Sequence, residues 1–297
     1  MNQISDLHQL TQEHLKLLPT DEDIAFYEEH GWYISRKVIP EELIDEAIEA
    51  SFKFYQGEKD ATLPTETGYS NWKSGDDEKI RNNEFVTLQN KLIRKFALQP
   101  IIGAIAARLA RTTSIRLFED QLVYKAPCGN EEEGVVGWHT DRAYCSNCTS
   151  EKLLAAWIPF HDCDVNRAPL VVIDGSNKWS GNDHLRCFNQ PNLQETAKKF
   201  TREGRQIKEV PMVIKKGQMS FHNTWTIHGS YPNRSDSYRL AIAVHMQDWE
   251  NRYQPFSNSQ GKQIHHYLDN LCRKLSNGNP DYSDPDIFPV IWSENNK

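Results

Sequence analysis

The octapeptide GWHTDRAY, residues 137–144, sets His139 and Asp141 two positions apart in a run with strand-like flanks. Further along, TIHGSYPNRSDSYRLAIAV contributes His228, Ser230 and Arg239. Side chains on a strand alternate faces, so a strand through His139 points it the same way as Asp141, about 7 Å along the chain. Both can then reach one ion, and by the same parity His228 shares a face with Ser230. Two neutral imidazoles and one carboxylate on a metal leave three adjacent coordination positions open, the donor set of non-haem Fe(II) oxygenases. Two open positions suit a bidentate 2-oxo acid, and the third suits O2.

Arg239 follows His228 by eleven residues, after the turn SYPNRSDS, with the small residues Ala241 and Ala243 on its own face. A guanidinium offers a planar two-pronged fork for the far carboxylate of 2-oxoglutarate, and Ser230 can add a hydroxyl donor. Charge closes as well: Fe(II), one carboxylate, a dianionic cosubstrate and Arg239 sum to neutral. A buried arginine without an anion is costly, so some anion is expected beside it.

The chain has eleven histidines, so one HxD is weak by itself. His222 is the nearest rival ligand, read as sharing a strand face with His228. Eleven residues beyond it stands Asn233, which cannot clamp a carboxylate, so His222 is assigned to strand packing. His161 and His245 are read as structural, and His265 with His266 as the solvated face of a helix. Trp138 is assigned either to the core or to a pocket wall, and Trp157 by itself reads as a core aromatic.

The elements that must position these residues fall into three parts of a single domain over 1–297. The first, about 1–113, is mainly helical. Thr20 is a candidate N-cap with Asp23 three residues on and Gly31 as a stop; WYISRKVI alternates like a strand; Pro40 opens a helix that ends at Gly57; and residues 90–110 are helical with a break at Pro100. From about 114 to 250, short runs such as IRLFEDQLVYKA, KLLAAWIPFHD, QMSFHNTWTIHG and YRLAIAVHMQDW are separated by Gly, Pro and Asn turns. This texture predicts a mainly β fold with flanking helices, a double-stranded β-helix or jelly-roll core. Residues 251–297 are expected to form one more helix and a Pro-rich tail. The polar segment SGDDEKIRNNE, 74–84, reads as a solvated loop or as a lid over the barrel mouth.

At 297 residues, with 38% hydrophobic and 25% charged residues, the composition is that of an ordinary globular protein with a sizeable core. No run reaches the roughly 20 apolar residues of a membrane helix, and the polar N-terminus lacks a signal-peptide pattern, so a cytoplasmic location is expected. A net charge of −7, from 34 basic and 41 acidic residues, argues against nucleic acid as a partner. No Gly-rich loop joins a strand to a helix as a phosphate cradle. Six cysteines do not make a disulfide scaffold; Cys145 and Cys148 have zinc-knuckle spacing but lack a second pair, so free thiols are expected.

The segments WHTD, AAWIPFHDCDVNRAPLVVIDGSNKW and GQMSFHNTWTIHGSYPNRSDSYRLAI resemble the phytanoyl-CoA dioxygenase-like family of Fe(II)/2-oxoglutarate oxygenases. The resemblance runs from about residue 20 to 250 and includes the helical opening IAFYEEHGWYISRKVIPEELIDE. It implies that His139, Asp141 and His228 are iron ligands and that Arg239 with Ser230 holds the distal carboxylate. It also implies cosubstrate contacts for Gln121 and Lys125, on the strand before HxD, and an aromatic position beside the cosubstrate for Trp157. The segment RAPLVVIDGSNKW departs from the family pattern, at a turn and not at a ligand. Relatives that transfer chloride have Ala or Gly where this chain keeps Asp141, so hydroxylation is favoured over halogenation.

The expected activity is hydroxylation of an unactivated C–H bond of a small metabolite, with release of succinate and CO2. The texture is similar to that of bacterial natural-product tailoring hydroxylases. Desaturation, epimerisation or ring closure at the same site is the nearest alternative. A non-catalytic jelly roll binding a carboxylate or sugar, and a zinc hydrolase that gives Arg239 no task, are more distant ones. The acidic balance favours a polar, cationic small molecule over a CoA ester.

Overall fold

The computed structural model describes residues 10–64, 71–129, 133–188, 192–257 and 260–294. Helices dominate its first part: α1 (Gln12–Leu17), α2 (Asp21–His30) and, after the short strand β1 (Trp32–Ile34), α3 (Glu41–Tyr55). Thr20 caps α2 through a reciprocal capping box with Asp23, and Gly31 ends it at φ 80°, a left-handed conformation that glycine adopts without a Cβ clash. Strand β2 (Ile80–Glu84) precedes α4 (Lys91–Ala97) and α5 (Pro100–Leu109), with Pro100 in the first turn of α5, where its missing N–H is of no consequence. Nearly all of α5 is buried, and Gly103 allows its close approach to the C-terminal strand: a Cβ there would lie 2.8 Å from side-chain atoms of Ile291 and Trp292.

The β part follows: β3 (Ser114–Lys125), β4 (Val136–His139), β5 (Leu154–Pro159), β6 (Val171–Ile173), the helix α6 (Leu193–Arg202), β7 (Glu209–Pro211), β8 (Ser220–Asn223), β9 (His228–Ser230) and β10 (Arg239–Asp248). The hairpin β11 (Phe256–Ser257) with β12 (Gln263–Ile264), the single-turn α7 (Leu268–Leu271) and β13 (Val290–Ser293) complete the described elements. The major sheet has the order β1-β8-β5-β10-β3-β13, with β2 also paired to β3, and the minor sheet the order β4-β9-β6-β7. Two sheets with interleaved connectivity form the jelly-roll core expected from the sequence. Leu122, Leu240, Ile242 and Val244, outward from the sheet interface, pack with α3, α4 and α5 into the main apolar cluster.

Several expectations are corrected. Residues 80–84 are not loop or lid; they form β2, antiparallel to β3 with Glu84 opposite Gln121. The run 218–229 is not one strand: β8 belongs to the major sheet and β9 to the minor one, so His222 and His228 lie on different sheets. The C-terminal helix shrinks to four residues, and the presumed tail returns as β13 on the edge of β3. His265 and His266 precede α7; His265 is exposed, while His266 packs edge-on against Phe118.

Candidate metal centre and cosubstrate pocket

The minor sheet brings the two imidazoles together by register. His139 on β4 is directly opposite His228 on β9, with ring centroids 4.2 Å apart. Each ring donates its Nδ1–H to a backbone carbonyl two residues back, His139 to Gly137 at 2.8 Å and His228 to Thr226 at 2.9 Å. Those bonds fix the tautomer and leave both Nε2 lone pairs free for a metal.

Asp141 does not lie on the strand. The strand ends at His139, and Asp141 opens a single 3-10 turn, Asp141–Ala143, whose closing N–H, from Tyr144, bonds to the Asp141 carbonyl. The neighbouring Thr140 hydroxyl donates to Asn182 O at 2.6 Å and anchors the turn. The turn, not strand parity, therefore carries the carboxylate to the imidazoles. Oδ1 of Asp141 is 3.5 Å from His228 Nε2, and His139, Asp141 and His228 present donor atoms that all lie within 4.8 Å of one another, all three residues buried.

Burial keeps the His139 and His228 imidazoles neutral by lowering their pKa values, His228 well below the usual range. Burial also opposes ionisation of Asp141, but the neighbouring His228 and His245 imidazoles and the hydrogen bond from His222 outweigh it and hold the carboxyl well below 3.8. Two neutral imidazoles and one ionised carboxylate are the protonation states a divalent ion requires.

Two histidines assigned to packing stand at this centre. His222 Nε2 donates to Oδ2 of Asp141 at 3.1 Å, and His245 Nδ1 lies 3.6 Å from the same oxygen. His222 and His245 are both register partners of Ala155 on β5, which lies between them in the sheet. Burial disfavours a charged His245, but Asp141 and Glu119 outweigh it and raise the imidazole to about 9. His161, by contrast, is structural: its Nε2 accepts from Leu240 N at 2.9 Å. Trp138 belongs to the core, donating its indole N–H to Leu193 O at 3.0 Å within the cluster around Val171 and Ile227.

A cavity of about 710 Å³ opens onto the three donors, between the two sheets. Arg239, at the start of β10, reaches it almost fully buried, and Val123 O accepts from one of its terminal nitrogens at 3.4 Å. Its Nε has no hydrogen-bond partner, and burial lowers the guanidinium to about 10. Trp157 also lines the cavity, its ring centre 5.7 Å from the Arg239 guanidinium carbon. Ser230 lines it too, and its Oγ accepts from Lys125 Nζ at 2.6 Å. Lys125 is itself fully buried behind Ser230 and also donates to Tyr231 O, so it supports the pocket from behind. Gln121 lines the cavity and donates to Glu84 and Glu119 at 3.4 Å each. A buried guanidinium with an unpartnered nitrogen, beside a hydroxyl and an indole face, fits the carboxylate end of a keto-diacid.

The family model for phytanoyl-CoA dioxygenase matches residues 27–241. The chain belongs to the phytanoyl-CoA dioxygenase family. The peroxisomal phytanoyl-CoA dioxygenases of Homo sapiens and Bos taurus are 24% identical over 234 residues and 25% identical over 171 residues. These matches cover 76% and 54% of this chain, and 68% and 48% of the relatives, so the bovine match spans about half of that protein.

Solved structures show the same fold. The non-haem α-ketoglutarate-dependent carbocyclase SnoK from nogalamycin biosynthesis superposes with a TM-score of 0.68 at 22% identity, over 91% of this chain and 96% of that one. The epimerase SnoN, crystallised with Fe3+, α-ketoglutarate and nogalamycin RO, gives 0.63 at 20% identity over 91% and 98%. EctD from S. alaskensis, with 2-oxoglutarate and 5-hydroxyectoine, gives 0.64 at 16% identity over 84% and 82%. The family and fold expectations therefore hold. No helix among the described residues is long and apolar enough to cross a membrane. No disulfide joins the cysteines of the described residues.

Proposed function

We propose that this family member is an Fe(II)- and 2-oxoglutarate-dependent dioxygenase that hydroxylates an unactivated C–H bond of a small organic metabolite. The observation that carries this reading is the meeting, in one cavity, of the His139–Asp141–His228 donor set with the buried, incompletely partnered guanidinium of Arg239. A ferrous ion held there supplies the coupling of O2 reduction to oxidative decarboxylation, so that 2-oxoglutarate, O2 and R–H become succinate, CO2 and R–OH.

The chain's own part is to hold and exclude. His139, Asp141 and His228 offer three donors from one side and leave the cavity side open. Arg239, with Ser230 and Trp157, orients the distal carboxylate, while Lys125 fixes Ser230 from behind and Gln121 lines the wall. A zinc hydrolase reading leaves Arg239 without a task. Neighbours that include a carbocyclase and an epimerase show that one scaffold serves several outcomes, and two of them act in nogalamycin biosynthesis, which favours a role in natural-product metabolism here as well.

Anaerobic titration of the protein with Fe(II) and 2-oxoglutarate should produce a visible metal-to-ligand absorption band and raise the melting temperature by mass action. Absence of both would overturn the reading. With a candidate-metabolite panel under O2, a product heavier by one oxygen atom and matched by succinate marks hydroxylation, whereas a product lighter by two hydrogens marks desaturation or ring closure.

A further inference from the structure

We propose that the wall built by β2 and the first half of β3 is a subsite for an N–H-bearing organic cation of the substrate, an ammonium or guanidinium group, received by Glu84 and Glu119. This rests on the cavity being the oxygenase site, and it assigns the substrate a charge.

Glu84 is 2% exposed, lines the cavity, and its Oε2 has no hydrogen-bond partner. Its Oε1 shares a single donor, Gln121 Nε2, with Oε1 of Glu119, at 3.4 Å to each. Two carboxylates thus converge on one neutral amide, which leaves Oε2 of Glu84 unpartnered. Two residues earlier on the same face of β2, Asn82 also lines the cavity with its Oδ1 unpartnered. Glu84 and Asn82 thus each present an acceptor without a donor on this wall.

A buried carboxyl without a counter-charge is expensive, and a second one beside it makes it more so. Burial and the Glu119 charge raise Glu84 to about 9, and burial raises Glu119 to about 6. A ligand bearing several N–H groups and a positive charge answers both needs at once.

The cations already lining the cavity serve this wall only in part: the His245 charge acts on both glutamates but leaves Glu84 Oε2 without a donor. Arg239 stands six residues along β10 from the position opposite Glu119, about 20 Å by strand rise. His245 is the register partner of Glu119, but its Nδ1 turns to Asp141. Fe(II), 2-oxoglutarate, Asp141 and Arg239 together are neutral, so the cation left beside the acid pair is His245, which Asp141 also shares, and the two carboxyls outnumber it when both cofactors are in place. Among the described residues, the three-donor metal cluster is His139–Asp141–His228, and neither glutamate belongs to it. The exposed Asp76 and Asp77 at the cavity lining extend the same sign outward, where it steers cations inward.

The test compares n-butylguanidinium with its neutral isostere n-butylurea by calorimetric titration of the full chain, with and without Fe(II) and 2-oxoglutarate. Wild type should bind the guanidinium more than about tenfold tighter than the urea. Glu84→Gln should weaken this preference and Glu84→Gln/Glu119→Gln should abolish it, with the Fe(II)/2-oxoglutarate band retained as the sign of an intact site. Equal binding of the two probes by wild type overturns the subsite without need of any variant, since Glu84 then serves as a neutral acid. Preference surviving in the double variant overturns it too. A band without preference defeats the subsite alone; preference without a band supports the subsite and defeats the oxygenase reading.

Discussion

His222 and Asp141 are joined by a 3.1 Å hydrogen bond that crosses from the major sheet to the turn following β4. His222 grips Oδ2, and Oδ1 is the oxygen nearer His228, so the two oxygens of one carboxylate are divided between support and the metal site. Outer contacts of this kind orient a ligand before the ion arrives.

Replacing His222 removes that orientation while leaving the three donors in place. His222→Leu should lower Fe(II) affinity by about 10–100-fold, with the visible band recovered at saturating iron. Anaerobic iron titration followed by absorbance checks this, and unchanged affinity would assign His222 to packing alone.

Arg239 is a buried cation with an unpartnered Nε, and the proposed function gives it the distal carboxylate of the cosubstrate. In Arg239→Met the KM for 2-oxoglutarate should rise by about 100-fold or more, the cost of losing one member of a buried charge pair. The same substitution should leave the cofactor-free protein melting no lower than wild type, because it removes an uncompensated charge from the interior. Steady-state kinetics and thermal melts together separate this from simple misfolding.

Gly229 separates His228 from Ser230, and a Cβ there would sit 2.7 Å from Val136 O and 3.2 Å from the Trp138 ring. Gly229→Ala must push β9 away from β4, shifting His228 relative to His139 across the ladder. A loss of about 1–3 kcal/mol in stability is expected, together with weakened iron binding. Denaturant melts and iron titration on the same sample measure both.

Glu84 carries a pH signature. Its folded pKa of about 9 lies above the ordinary 4.5, so the stability it contributes is fully present below the ordinary value and is lost as pH rises through the folded one. The groups around it are Glu119, Asp120 and Gln121 on β3 and His245 on β10. Between about pH 5 and 9, the cofactor-free wild type should therefore lose melting temperature more steeply than Glu84→Gln. Parallel slopes for the two proteins would refute this.

Much of the centre was legible because strands obey parity and because an arginine needs an anion. His139 with His228, the pairing of Arg239 with Ser230 in one pocket, and the jelly-roll texture all follow from local pattern. What stayed hidden depends on which distant strands become neighbours. His222 and His245 looked like packing because nothing local shows that β8 and β10 flank Ala155 on β5. Glu84 sat in a polar stretch that reads as loop until β3 supplies its ladder partners. Asp141 was placed on the right side for the wrong reason, since the ladder stops one residue before Thr140. The strand β13 was missed because its ladder partner on β3 is far away in sequence.

The position of Asp141 just outside the ladder makes the third donor separable from the other two. The two imidazoles are locked to sheet register, so neither can be exchanged without disturbing strand geometry or the opposing ring. The carboxylate hangs from a turn held by its backbone and by Thr140, with no ladder depending on its side chain. A substitution at residue 141 therefore removes the third donor while the β4–β9 ladder keeps its register.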